Sequence, residues 1–448
     1  MRFPHPLILL VGCILTAAAL SWVLPAGEFE RRDDPATGRR VVVAGTYHRV
    51  EPAPVKPLEA LTAIPRGMAD AASVIFYVFL VGGAFAVVER TGASTRLVGR
   101  LVTSLEGKEA LVIPITCLAF GAGGALIQMQ EELIAFVPML LLLTGQLGFT
   151  PVVACAVSIG AAGVGAAFSP VNPFQVVIAQ KVAELPTASA TPFRTVFLLL
   201  AMSLWIWGTL RYARRTRTVP APSGAANGTA GAAPATGRDW TIVAIVLATF
   251  ALFLIGARWW GWDFNEFAAL FFLMGVAAGL VGRLGLAGTA DGFVAGFGSL
   301  AYAALLIGFA RGIFVVLDQG RIVDTIVNAL FTPLANLPVV LSAVAMMGAQ
   351  ALIHVPVPST SGQAVLTMPV LVPLADLLGL TRQVAVLAYQ YGAGLCELVT
   401  PTNGALMAML AATGVRYEEW MRFLGRLLAL LVGLAVVALV IGIAAGVR

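Results

Sequence analysis

Two short stretches carry the residues best suited to chemistry: Ser169-Pro170-Val171-Asn172-Pro173 and Thr400-Pro401-Thr402-Asn403-Gly404. Each interrupts an otherwise apolar run. Proline there removes a backbone donor and breaks the i→i−4 ladder, which frees carbonyl oxygens. Freed carbonyls beside Ser/Thr hydroxyls and an Asn amide make a cluster of hard oxygens suited to Na⁺. The half-helix that follows turns a positive N-terminal end toward an anionic group. Ser169, Asn172, Thr400 and Asn403 are the expected cation ligands, and Asn172, Thr402 and Asn403 the expected contacts to a solute. One such motif alone is more often a structural kink. Two copies 231 positions apart argue for a site.

Two polar segments precede these breaks. One runs from Gly123-Gly124 to Gln128-Met129-Gln130-Glu131-Glu132; the other is His354-Val355-Pro356-Val357-Pro358-Ser359-Thr360-Ser361-Gly362-Gln363. Both are read as tips of re-entrant hairpins, since irregular backbone at membrane depth is tolerated only where protein buries it or it lines a wet cavity. Gln130, His354, Ser359, Thr360, Ser361 and Gln363 are therefore expected to contact the solute. Ionisable residues at such depth each cost a few kcal/mol or more and mark function by default. Glu131, Glu132 and Glu397 are assigned to proton or cation coupling, because acids in excess over buried bases imply a bound positive species. Arg311 is expected to form a structural ion pair with an acid on another helix, and Asp318 to lie at a span end.

The elements that must hold these residues are set by composition. Of 448 residues, 59% are hydrophobic and 11% charged, against about 25% charged in a soluble protein. Residues 28–70 hold 14 of the 51 charges and 211–239 hold 6, which leaves about 8% elsewhere. That pattern excludes a soluble enzyme, a nucleic-acid binder and a disordered chain, and leaves an all-α polytopic membrane protein. Apolar runs long enough to cross hydrocarbon, about 20 residues, fall near 6–24, 72–90, 193–212, 240–257, 264–283, 297–317 and 423–446. The first is read as a retained span rather than a cleaved leader. Residues 26–70 form an extracytoplasmic polar loop, with a short hairpin-like cap around Gly38. Arg211, Arg214, Arg215 and Arg217 follow a span directly and mark the cytoplasmic side. The Ala/Gly/Pro/Ser/Thr-rich stretch within 214–239 is expected to be a disordered linker.

The halves resemble each other. Sliding Pro138–Asn172 by 231 positions onto Pro369–Asn403 matches 12 of 35 residues without a gap, including Leu147-Gly148 with Leu378-Gly379, Thr150 with Thr381 and Gly163 with Gly394. A count of crossings starts the second copy from the opposite side of the bilayer. The expected architecture is thus an inverted-topology repeat with two re-entrant hairpins, two broken helices and about nine full crossings, the plan of many secondary transporters. Residues 71–213 and 291–448 are the two repeats, and 240–290 two connecting spans. The N-terminus is then cytoplasmic and the C-terminus extracytoplasmic.

Other motifs fall away. No G-x-x-x-x-G-K-[ST] is present, no nucleophile–base set can be assembled, and the four cysteines lack metal-ligand spacing. Gly160 to Gly165 and Gly288, Gly292 and Gly296 read as close helix packing. No metal centre or cofactor is expected beyond Na⁺ or H⁺ as coupling ion.

The chain resembles the YfcC-type branch of the four-carbon-dicarboxylate anaerobic carrier family, within the ion-transporter superfamily. The residues that carry the likeness are Trp22 to Phe29, Gly45-Thr46-Tyr47, Gly82 to Phe85, Glu131-Glu132, Ala310-Arg311-Gly312, Gln350, Pro358 to Ala364, Met368-Pro369, Arg382-Gln383, Pro401 to Gly404 and Trp420. The resemblance implies a secondary carrier of the bacterial inner membrane, with Na⁺ and substrate carboxylates at Ser169, Asn172, Thr400, Thr402 and Asn403. His354 stands where the family favours Asn and aromatics nearby, and Ala393 where an acid is common, which affects the coupling stoichiometry. The expected function is symport or exchange of a small carboxylate-bearing solute such as a four-carbon dicarboxylate, driven by Na⁺ or H⁺. The partners are that solute, the lipid bilayer and a second copy in a homodimer. An arginine/ornithine-type amino-acid exchanger is the alternative within transport, and an ion channel or non-transporting receptor the alternative outside it.

Overall fold

The computed structural model describes residues 6–34, 39–43, 45–93, 96, 109–186, 189–217, 236–256, 260, 262 and 264–447. Most of the expected linker, 218–235, and the cap turn at Gly38 lie outside the described residues. The chain is helical almost throughout. Helices α1 (Pro6–Val23), α2 (Pro57–Asp70) and α3 (Ala72–Arg90) open it, and α4 (Val112–Ile127) and α5 (Val137–Gln146) flank a 3₁₀ turn at Glu131–Phe136. The first broken helix is α6 (Pro151–Ala167) and α7 (173–182), followed by α8 (Thr191–Arg215). Two connecting helices come next, α9 (Gly237–Ile255) and α10 (Phe264–Val281). The second half holds α11 (Gly285–Gln319), α12 (Val323–Phe331), α13 (Val339–His354), α14 (Thr360–Leu377), α15 (Arg382–Cys396), α16 (Gly404–Thr413) and α17 (Tyr417–Ala444). Among the described residues six helices are long and apolar enough to cross a membrane. Leu199, Leu273, Leu280 and Val440 stand exposed on them, as side chains solvated by lipid do.

The polar loop is more ordered than its composition suggests. Strand β1 (Gly27–Glu28) pairs antiparallel with β4 (His48–Arg49), and β2 (Arg31–Asp34) with β3 (Arg39–Val42). Asp324 on α12 fastens this cap, accepting from Phe29 N and Arg31 Nη2, each at 2.8 Å. The last part of the loop is not loop at all but α2. Pro57 stands at its first position, Glu59 Oε2 accepts from Lys56 N at 2.8 Å, and Ala60, Ala63 and Gly67 form a small-residue face. That face packs on α11, where Gly67 meets the backbone of Gly308 and Gly312. The i, i+3, i+7 spacing was readable; charged residues on the opposite face hid it.

Helix α11 is the spine. It runs 35 residues without a break, about 52 Å at 1.5 Å per residue, longer than the 297–317 span read from hydropathy. Helices α1, α2, α3 and α10 pack along it, and its middle contacts α16. Its stripe of Gly292 and Gly296 lies on Val87 and Gly82-Gly83 of α3, so the glycines do serve close helix approach.

The remaining helices occur in matched pairs. Helix α4 packs mainly on α6, and α13 on α15; α5 and α14 also contact those broken helices. Both arms of each helix pair therefore hold on to one broken helix. Small residues make the clasp possible: Gly121 and Gly124 of α4 lie against Gly165 and Ala162 of α6, and Gly392 of α15 against Met347 and Gln350 of α13.

Candidate functional site

Each break is closed by its own side chains. Asn172 and Asn403 begin the half-helices α7 and α16: Asn172 Oδ1 accepts from the amides of Phe174 and Gln175 at 2.9 Å, and Asn403 Oδ1 from Leu406 N at 3.2 Å. Side-chain caps of this kind satisfy donors that a helix start leaves orphaned. A hydroxyl then ties each break to its neighbouring arm. Ser169 Oγ donates to Ala125 O at 2.6 Å and also receives the amides of Val171 and Asn172, while Thr402 Oγ1 donates to Val355 O at 2.6 Å. Thr400 and Thr402 share a hydroxyl contact of 2.8 Å.

The breaks differ in what surrounds them. At the first, Asn172 Nδ2 donates to Gly124 O at 2.9 Å, so the hydrogen bonds given for this amide stay within its own repeat. At the second, Asn403 Nδ2 donates to Glu397 O at 3.2 Å and to Gln130 Oε1, on the opposite hairpin, at 3.3 Å. Gln130 Nε2 in turn donates to Glu397 Oε2. Glu397, 8% exposed, caps the C-terminal end of α15, and its Oε1 lies 3.6 Å from His354 Nε2. His354 Nδ1 pairs with Gln363 Oε1 at 2.8 Å, and Gln363 Nε2 donates to Gln350 O at 2.7 Å and Oε1 at 2.5 Å. Gln350 Nε2 donates to Thr367 Oγ1 at 2.8 Å, and that hydroxyl donates back to Gln363 O at 2.8 Å. A buried polar path thus crosses from the first hairpin tip through the second break into the second hairpin. Two titratable groups, Glu397 and His354, stand at its centre.

The other expected residues take peripheral places. Glu131 and Glu132 follow Gln130 in the same turn, with Glu132 Oε2 accepting from Gln130 N at 3.0 Å. Ser359 caps α14 through Gly362 N, and Thr360 gives its carbonyl to Tyr389 OH at 2.6 Å. Ser361 is half-buried beside them. Arg311 pairs with Asp70 at the end of α2 and lies over the Phe314 ring, 4.8 Å from its centroid. Arg311, Arg31, Asp324, Ser359 and Gly362 line a cavity of about 380 Å³ between the cap and the N-terminus of α14. That cavity leads to the second hairpin and carries charge of both signs.

The sequence points to Gln130 and Gln363 among the amides but not to three others as site residues. Gln350, Gln390 and Gln175 are buried polar residues in apolar helices, and each makes or lacks a decisive hydrogen bond. Their signal was the mere presence of Gln within an apolar run. Arg194 was passed over because it stands in the first turn of a span, where an arginine ordinarily reaches the headgroups; here it is buried.

Residues 3–444 match the C4-dicarboxylate anaerobic carrier family, DcuC. The chain belongs to that family. It is 31% identical over 475 residues to the Escherichia coli (strain K12) protein YfcC, whose name proposes a basic amino acid antiporter, covering 96% of this chain and 94% of the relative. An uncharacterized protein of Haemophilus influenzae is 26% identical over 497 residues, covering 98% and 97%. Among solved structures, the Alcanivorax borkumensis YdaH transporter aligns with TM-score 0.44 and 18% identity, over 98% of both chains. Neisseria gonorrhoeae MtrF, described with a class of antimetabolite efflux pumps, aligns with TM-score 0.41 and 16% identity, over 98% of this chain and 95% of that one. Membership makes this chain a multi-pass membrane transporter of small molecules and not an enzyme. The family is the one its motif residues resemble.

Proposed function

We propose that the chain is a secondary carrier of the bacterial inner membrane, moving a small carboxylate-bearing solute in symport with a cation or in exchange. The observation that carries this reading is the path Asn403–Gln130–Glu397–His354–Gln363, which joins both hairpins to one broken helix. A carboxylate and an imidazole buried side by side are costly unless one of them takes up a cation or proton during the working cycle. Movement of either hairpin would open Glu397 to that ion, and the 380 Å³ cavity would supply an aqueous approach from the cap side. An inverted repeat would supply the means, since two similar clasps reached from opposite sides of the bilayer allow alternating access. Arg211, Arg214, Arg215 and Arg217 support a cytoplasmic N-terminus and an extracytoplasmic C-terminus on this reading.

A second reading concerns the solute. Glu132 and Glu397 both accept from Gln130, with Glu131 next to it in sequence, and acids so placed suit a basic amino acid better than a second carboxylate. The name of the Escherichia coli relative points the same way.

Purified protein in liposomes is expected to accumulate one labelled solute from a panel of four-carbon dicarboxylates and amino acids under an inward Na⁺ or H⁺ gradient. Counterflow of arginine against ornithine, with no gradient, would select the exchanger reading. Absence of both activities in folded protein ends the carrier proposal.

A further inference from the structure

Arg194 is a buried charge with no ion-pair partner among the described residues. It stands in the first turn of α8 and is 1% exposed. Among the described residues it has no carboxylate within salt-bridge reach, and only Nη1 is engaged, donating to Gln390 Oε1; Nε and Nη2 have no hydrogen-bond partner. Gln390 Nε2 donates to Ser169 O at 2.8 Å and Ala166 O at 3.2 Å. One amide therefore links the guanidinium to the C-terminal end of α6, at the first break.

A second orphan lies nearby. Gln175, 0% exposed in the first turn of α7, has neither amide atom hydrogen-bonded among the described residues. Its Oε1 lies 3.4 Å from where a Cβ on Gly394 would stand. Gly394 is one turn beyond Gln390 on α15, so both orphans face one stripe of that helix. Glu397 continues the same stripe at i+7 from Gln390, about 10 Å along the axis.

A buried, unpaired guanidinium and an unused amide are costly to retain. The cost is relieved when a ligand supplies acceptors. A guanidinium fork fits a carboxylate with two parallel hydrogen bonds, and a neutral amide can donate a third.

We propose that Arg194 and Gln175 form a carboxylate-binding subsite beneath the first break, facing Glu397 along α15. This rests on the carrier reading for the identity of the solute, and deepens it by assigning the group that holds the solute's acidic end. An amino acid laid along α15 would have its carboxylate at Arg194 and its cationic part toward Glu397.

The test is thermal-shift titration of detergent-purified protein with succinate, L-arginine and agmatine, which is arginine without its carboxylate. Succinate or L-arginine is expected to stabilise the wild type, and agmatine is not. Gln175→Leu should leave the melting temperature without ligand unchanged or raised, because an unpaired amide is removed, while the stabilising probe binds about tenfold more weakly. Arg194→Met should show the same two signs with a loss of about a hundredfold. A merely structural role would lower the ligand-free melting temperature and leave affinity alone. Should Arg194→Met fail to fold, Gln175→Leu decides by itself. Wild-type affinity in Gln175→Leu, a lowered ligand-free melting temperature in that variant, or equal stabilisation by agmatine overturns the subsite. Failure of all three probes with the folded wild type overturns the carrier reading beneath it.

Discussion

Glu397→Gln abolishes accumulation of solute against a gradient while leaving exchange of solute for solute measurable. Glu397 is the only acid in the buried path, and Gln130 Nε2 already donates to it. A glutamine at 397 keeps that acceptor and can offer its own NH₂ to His354 Nε2, which has no other hydrogen-bond partner among the described residues. The substitution therefore removes a charge and a protonation site at little structural cost. A tenfold cation gradient supplies about 1.4 kcal/mol per coupled ion, enough for about tenfold accumulation. Without the coupling group the internal solute should only equal the external concentration. The measurement is the steady-state ratio of labelled solute in liposomes at a fixed Na⁺ or H⁺ gradient, with counterflow as the control for folding. Undiminished accumulation by Glu397→Gln would remove Glu397 from the coupling step.

The position of Glu397 also explains how much of the site was legible. The likeness between 138–172 and 369–403 is visible in the sequence because prolines, glycines and the two asparagines serve backbone geometry. Ser169 and Thr402 each fasten a break to its arm through a 2.6 Å hydrogen bond to a carbonyl, although they are not at equivalent positions. Such functions leave a residue-type signature. The proposed coupling group lies in what the halves do not share: Glu397 falls opposite Ala166 under the 231-residue offset. The cross-repeat bond from Asn403 to Gln130 could not be read from either motif, because it depends on how far apart the two hairpins sit. The same limit applied to Arg194. Hydropathy places it near a span end, yet the fold buries it, with Nη1 donating to Gln390 of α15. Helix α2 escaped for the opposite reason, since its charged face outweighs a narrow stripe of small residues in any average over the segment.

Gly124→Val should cost most of the protein's stability, for reasons that run from one missing Cβ to both functional segments. A Cβ at Gly124 would stand 2.7 Å from Ala162 Cα. The obstacle is backbone, so no side chain can rotate away, and α4 must lift off α6. Forced overpacking of this kind costs about 1–3 kcal/mol. The displacement then reaches the first break. Gly124 O accepts from Asn172 Nδ2 at 2.9 Å and Ala125 O from Ser169 Oγ at 2.6 Å, and each buried partner left unpaired costs about 1–3 kcal/mol more. The total approaches the 5–15 kcal/mol that holds a typical folded domain. Gly348 provides the matched control, because it lies on α13, the corresponding arm of the other hairpin, and has nothing within 4 Å of its Cβ position. Gly348→Val should melt close to wild type and transport normally, whereas Gly124→Val should melt several degrees lower or fail to purify folded. Equal melting temperatures for the two variants would mean that α4 is not seated through Gly124, and that the first break is positioned by something other than this clasp.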